Sequence, residues 1–199
     1  MITGEGKILL QRAVRLVALL NLAYFGLEFA VARLIGSVSL FADSIDFLED
    51  ASVNLLVLFA LSWSARQRAR VGLMLAAILL IPSLATLWTA WRKFEHPSPP
   101  NPVLLSFTGF GAMFINLGCA YLLAAHRTHG GSLTRAAFLS ARNDVFANIF
   151  IVGAGVLGMG LWESAWPDLL VGFGIMLLNA DAAREVWMTA RQEASMIEL

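Results

Sequence analysis

The chain has 199 residues, of which 58% are hydrophobic and 14% charged, with 14 Lys+Arg against 14 Asp+Glu. Soluble domains run at roughly 25% charged and 45–50% apolar, so this composition argues against a soluble globular protein. Zero net charge removes nucleic acid as a partner, which needs a basic stripe, and one cysteine, Cys119, excludes an intrachain disulfide.

Six bilayer-spanning helices of about 20 residues each would take about 120 residues and leave no room for a sizeable extramembrane domain. The expectation is therefore an all-α polytopic membrane protein, a single transmembrane domain over 1–199 with no soluble C-terminal domain. The expected spans lie near 10–34, 38–64, 70–92, 103–126, 133–161 and 167–188. Turn signals separate several of them: Gly36-Ser37, Ser98-Pro99-Pro100-Asn101-Pro102, Gly130-Gly131-Ser132 and Trp166-Pro167. Met1 to Lys7 is polar and no small-residue cleavage site follows, so the first span is expected to be retained.

In chain order, the first span carries Asn21 and Glu28 on nearly one face among apolar neighbours. Asn21 is expected to hydrogen-bond between helices, and Glu28 either to do the same or to line a polar path. The second span holds Asp43, Asp46, Glu49 and Asp50 within eight residues. At roughly 2.5–3.5 kcal/mol for an Asp at helix centre, four uncompensated acids would cost about 10 kcal/mol, so they must face water, cations or protons. At 100° per residue, Asp43, Asp46, Asp50 and Asn54 fall within roughly an 80° arc, with Glu49 about 60° from Asp46. Asp46 and Asp50, at i and i+4, can reach a single ion. The competing expectation is that the acids line an aqueous cavity or pair with arginines of other helices.

The next two spans are the most apolar, with 21 uncharged residues between Arg70 and Arg92 and 23 from Val103 to Ala125. His126 and His129 follow in what is expected to be an exposed loop. The fifth span repeats the four-residue step with Ser140, Asp144 and Asn148, while Arg142 projects about 160° from Asp144 toward another helix, a headgroup or the cytoplasmic mouth. Asp46, Asp50 and Asp144 would offer three hard oxygen ligands to a divalent cation, with Ser140, Asn143 or water completing the shell. Gly153-Ala-Gly155-Val-Leu-Gly158 has the spacing of a dinucleotide fingerprint, but that pattern needs a preceding strand, and close helix packing, with Gly160 added, accounts for it better. Asp168 and Asp181 sit toward the two ends of the sixth span, where solvated or helix-end roles are expected.

Lys7, Arg12, Arg15, Arg66, Arg68, Arg70, Arg127, Arg135, Arg184 and Arg191 fall on the side of the termini, and only Arg33, Arg92 and Lys93 opposite. The excess predicts that both termini are cytoplasmic.

At these residues the sequence resembles the cation diffusion facilitator family. The resemblance runs through Asn21-Leu-Ala-Tyr-Phe with Glu28, Gly36-Ser-Val-Ser-Leu-Phe-Ala-Asp43-Ser-Ile-Asp46-Phe-Leu-Glu49-Asp50, Leu133-Thr-Arg-Ala-Ala-Phe-Leu-Ser140-Ala-Arg-Asn-Asp144, and Trp166-Pro-Asp168. It implies a tetrahedral transport site near the bilayer midplane, made by a His or Asp and a later Asp on the second helix and a similar pair on the fifth. Asp46 and Asp50 match the first pair and Asp144 the final ligand, while Ser140 stands where the family has His or Asp. Neutral Ser is a poor zinc ligand, so the departure leaves room for manganese, iron or cobalt. Asp43, Asn143, Glu28 and Glu49 are candidates for additional polar lining. The family's usual cytoplasmic metal-binding domain is expected to have no counterpart here.

The resemblance implies a proton-coupled homodimeric exporter of divalent transition metals, zinc first, then cadmium, manganese, iron or cobalt, working in the lipid bilayer of a bacterial-type inner membrane. Each ligand carboxylate must be deprotonated to hold metal, so metal release favours proton uptake. An enzyme is not expected, since no His-Glu-x-x-His, Gly-x-Ser-x-Gly or P-loop motif occurs. The alternative is a metal-binding or sensing membrane subunit that does not transport. A cation channel is a third possibility.

Overall fold

The computed structural model describes residues 4–60, 84–124 and 131–178, apart from the side chains of residues 4–7, 57, 59, 60 and 131–140. Among these residues the regular structure is entirely helical: α1 (Gly4–Ile35), α2 (Val38–Ala60), α3 (84–95), α4 (Pro102–Ala124), α5 (Gly131–Gly158) and α6 (Trp166–Leu178). Two stretches, Ile8–Ile35 and Pro102–Ala124, are each long and apolar enough to cross a membrane. Most of the third expected span, together with His126, His129 and Asp181, lies outside the described residues.

Local chemistry sets the helix ends. Gly36 adopts φ 64°, and Ser37 N donates back to Ala32 O at 3.0 Å, the six-to-one bond of a Schellman turn that closes α1. Ser37 then caps α2, its Oγ accepting Leu40 N at 3.1 Å. Asn101 does the same for α4, taking Val103 N at 3.1 Å and Leu104 N at 3.0 Å, with Pro102 in the first helical position where its missing N–H costs nothing. The fifth helix ends at Gly158, and Gly160, at φ 146°, turns the chain toward α6.

Contacts α1–α2 and α4–α5 make two hairpins, joined by α1–α4 and α2–α5. Large apolar side chains such as Phe107 (73% exposed), Tyr121 (81%), Phe110, Phe114, Ile149 and Phe150 line the outside, whereas Asn21, Glu28, Asp43, Asp50, Asn54, Asn116 and Asn148 are buried. This is the reverse of a water-soluble fold and suits a hydrocarbon surround, where polar side chains turn inward.

The interior is layered. One apolar cluster gathers Ala32, Leu40, Phe41, Ile45, Leu105, Ile151, Ala154 and Ile175. It lies toward the distal end, where α1 turns into α2 and α5 turns toward α6. A second gathers Leu10, Val14, Val17, Cys119, Leu123 and Ala141 toward the start of α1. The buried amides and most of the acids fall between them.

Close approach between helices rests on a few glycines. A Cβ on Gly155 would collide with Ser106 Oγ of α4, and one on Gly158 would stand 3.2 Å from Pro102 Cβ. These two bear out the packing expectation; Gly153 and Gly160 have nothing within 4 Å of such an atom. Gly172 of α6 lets the start of α2 approach, where a Cβ would lie 2.8 Å from Ser39 N.

Candidate functional site

The inward stripe of α1 runs Leu10, Val14, Val17, Asn21, Glu28, Ala32, so the helical period that buries its apolar residues buries its polar ones too. Asn21 Oδ1 receives Cys119 Sγ at 3.5 Å, the interhelical contact expected of it, here with α4. Tyr24 Oη donates to Thr108 O at 2.6 Å, a second α1–α4 tie that only Gly111 permits, because a Cβ there would strike the hydroxyl.

On α2, Asp43 and Asp50 are buried and Asp46 and Glu49 half-buried. Asn54 Nδ2 donates to Asp50 O at 2.8 Å and Asn148 Nδ2 of α5 to Asp144 O at 2.8 Å, so each amide bonds its own helix one turn back. The amide of Asn148 also reaches Asp43 Oδ1 at 3.5 Å, linking α5 to α2. The carboxyl of Asp46 interacts electrostatically with Asp144, Asp43, Glu49 and Asp50, and that of Asp144 with Asp50, Asp43 and Glu49. The α2 and α5 acids therefore act on one another across the bundle interior. They are not drawn into a closed ligand shell: among the described residues no three His, Cys, Asp or Glu side chains are arranged to hold a metal ion.

The backbone of α5 places Ser140 one turn before Asp144, and its side chain lies outside the described residues. Asn143 is exposed, its Oδ1 3.5 Å from Arg142 Nη2, and Arg142 is exposed beside it.

Several interior atoms have no hydrogen-bond partner among the described residues: both Glu28 carboxyl oxygens, Asp43 Oδ2, Asn54 Oδ1, Asn116 Oδ1 and Asn148 Oδ1. These six are oxygen acceptors, the donor set of a hard cation or a proton-bearing group, while Asn21 Nδ2 and Ser106 Oγ are likewise buried without a partner among the described residues.

Asp168 behaves otherwise, and of the two roles expected of it, solvated or helix-end, the structure supports the second. It is 1% exposed and acts at a helix end, but that of α2. Oδ1 accepts Ser37 Oγ and Ser39 Oγ, each at 2.6 Å, and Ser39 N at 3.1 Å; Oδ2 accepts Val38 N at 2.9 Å and Lys93 Nζ at 3.0 Å. The carboxylate thus neutralises the positive end of α2 and pairs with a buried ammonium. Lys93, counted above among the few positive charges opposite the termini, also donates to Gly36 O. Phe94 and Trp166, edge to face at 6.0 Å, join α3 to α6 beside it. Sequence reasoning missed this cluster because its members are far apart in the chain. Asn116, a lone amide within an apolar helix, was a visible signal left unused.

A cleft of about 450 Å³ opens at the same end between Pro99–Pro102 and Glu163–Asp168. None of the α2 acids lines it.

A helical bundle with an apolar outside and an interior of acids and amides defines a membrane protein that handles positive charge. Residues 14–193 match the cation efflux transmembrane domain, and the chain belongs to that family, the cation diffusion facilitators. Its members are transporters whose substrates are divalent metal cations, which assigns this chain to metal-cation efflux rather than to enzymes. Comparison with curated proteins yields no match.

Proposed function

We propose that this chain is a six-span, proton-coupled exporter of divalent transition-metal cations. Both termini are cytoplasmic, it forms a homodimer, and it works in a bacterial-type inner membrane. The substrate order is zinc, then cadmium, manganese, iron or cobalt, with Asp46, Asp50, Asp144 and Ser140 as the metal-binding residues. The supporting observation is the mutual electrostatic interaction of Asp46, Asp50 and Asp144, carried by two different helices into one interior.

Three carboxylates that act on one another in one interior repel until a cation or protons come between them, so the two ligands compete for the same oxygens. Side-chain rotation, which a half-buried Asp46 permits, closes the carboxylates on the ion. Helices rocking about this site would load metal on one side and protons on the other. The downhill proton then drives the uphill metal.

Vesicles reconstituted with the full chain and given a pH gradient test this. Zinc, cadmium or manganese should move with proton counterflow, and Asp50→Ala should abolish the movement. Binding without flux would replace the exporter by a sensing subunit, and flux without counterflow by a channel. A metal competition series repeated in Ser140→His should shift toward zinc, the better match to imidazole; an unchanged ranking puts Ser140 outside the coordination sphere.

A further inference from the structure

One acid pair stands apart from the proposed ligands. Glu28 of α1 and Asp43 of α2 are both 0% exposed, on helices joined by the Gly36-Ser37 turn. Ring contacts of Tyr24 with Phe47 at 5.0 Å and of Phe29 with Phe41 at 5.3 Å bracket the two acids and set them at one height of the hairpin, where their carboxyl groups interact. An ionised carboxylate only accepts, so a bond between two of them requires a hydrogen on one.

Among the described residues no side chain donates a hydrogen to Glu28. The Tyr24 hydroxyl, which faces both acids from α1, donates to Thr108 O. On α2 the neighbouring groups are Asp46 and Asp50, and from α5 come Asp144 and the Asn148 amide, whose reach to Asp43 Oδ1 is a long 3.5 Å. On α4, Cys119 faces Asp50 and Asp144. Lys93 is bound to Asp168, and Arg142 is exposed. Both Glu28 oxygens and Asp43 Oδ2 therefore have no donor among the described residues.

We propose that Glu28 and Asp43 form a proton-binding site in which one proton, shared between the two carboxyl groups, bridges α1 and α2. The bound form carries one negative charge. Release passes the proton to solvent or to another acceptor in the layer and leaves two charges facing each other across the α1–α2 contact. Such sharing is the established behaviour of carboxyl pairs held close together. The site stands on its own geometry and does not depend on the chain moving metal; if the proposed exporter is correct, it gives the bundle a proton carrier that is not a metal ligand.

The test uses the full chain in lipid vesicles without metal, read by infrared spectroscopy of the protonated-carboxyl C=O stretch. Glu28→Gln supplies an N–H donor to Asp43 in place of the proton, and Asp43→Asn supplies one to Glu28, so either variant preserves the bridge. The expected result is a protonated-carboxyl band at neutral pH that is lost in Glu28→Gln and in Asp43→Asn and kept in Asp46→Asn. The melting temperature of the parent chain should also fall from neutral to alkaline pH, and fall less in Glu28→Gln. If the band is missing from the parent chain, unchanged in both pair variants, or lost only in Asp46→Asn, the shared proton is refuted. Because no metal enters the measurement, absence of transport in the vesicle assay leaves the result intact, and the reverse holds equally.

Discussion

Two groups of buried acids lie at different heights in this bundle, and they have opposite local chemistry. At the distal end, Asp168 receives five donors from three other segments, the α1–α2 turn, the first turn of α2 and α3. In the middle layer, Glu28 receives none among the described residues, and Asp43 only one long contact. Burial is equally complete in both, so burial does not separate a structural acid from a working one. The supply of donors does. A carboxylate already saturated by the fold has no capacity left for a ligand, whereas one facing only acceptors must take its partner from among protons or metal ions.

The contrast can be broken most sharply at Asp168. Asp168→Ala would leave Lys93 as an uncompensated buried charge and cost about 3–5 kcal/mol, measured by denaturant unfolding in detergent. The double variant Asp168→Leu with Lys93→Met should recover much of the loss, because the pair is then replaced rather than halved. Full stability in Asp168→Ala would show that the cluster is not what fastens this end.

Gly155→Val sharpens the same side of the comparison, since it drives a side chain into Ser106 at the packed α4–α5 contact. The expected loss is about 1–3 kcal/mol, with α5 displaced from α4 as read by cross-linking between the two helices. Ser37→Ala removes both the cap on Leu40 N and one donor to Asp168 and should cost roughly 1 kcal/mol by the same unfolding assay. The smallest effect is expected at Glu28→Gln, within about 0.5 kcal/mol of the parent at neutral pH, since a donating amide replaces a shared proton without a change of shape. A Glu28→Gln loss as large as that of Asp168→Ala would erase the distinction between the two regions.

Much of this was legible in the sequence, for definite reasons. Helical period alone placed Asn21 and Glu28 on one face of α1, and the four-residue step put Asp46 with Asp50 and Asp144 with Asn148. Gly155 and Gly158 were correctly assigned to packing, but the pattern could not say that Gly153 has open space, because that depends on which face of α5 meets α4. The partners of Asp168 were beyond reach for the same reason. Ser37 and Asp168 are 131 positions apart, and nothing in the spacing of either segment refers to the other. Glu28 and Asp43 stand on opposite arms of the α1–α2 hairpin, so their pairing follows only once the turn at Gly36 fixes how the arms align.

The bond from Val38 N to Asp168 spans 130 positions of the chain. While the protein is being synthesised, α2 therefore enters the lipid with its amino end unprotected and several acids aboard, long before the residue that secures it has left the ribosome. The last helix arrives as a clasp. Nascent chains halted before Asp168 should accordingly be far more open to protease at the Gly36-Ser37 turn than chains released beyond it, and the fold is completed from its late end backward.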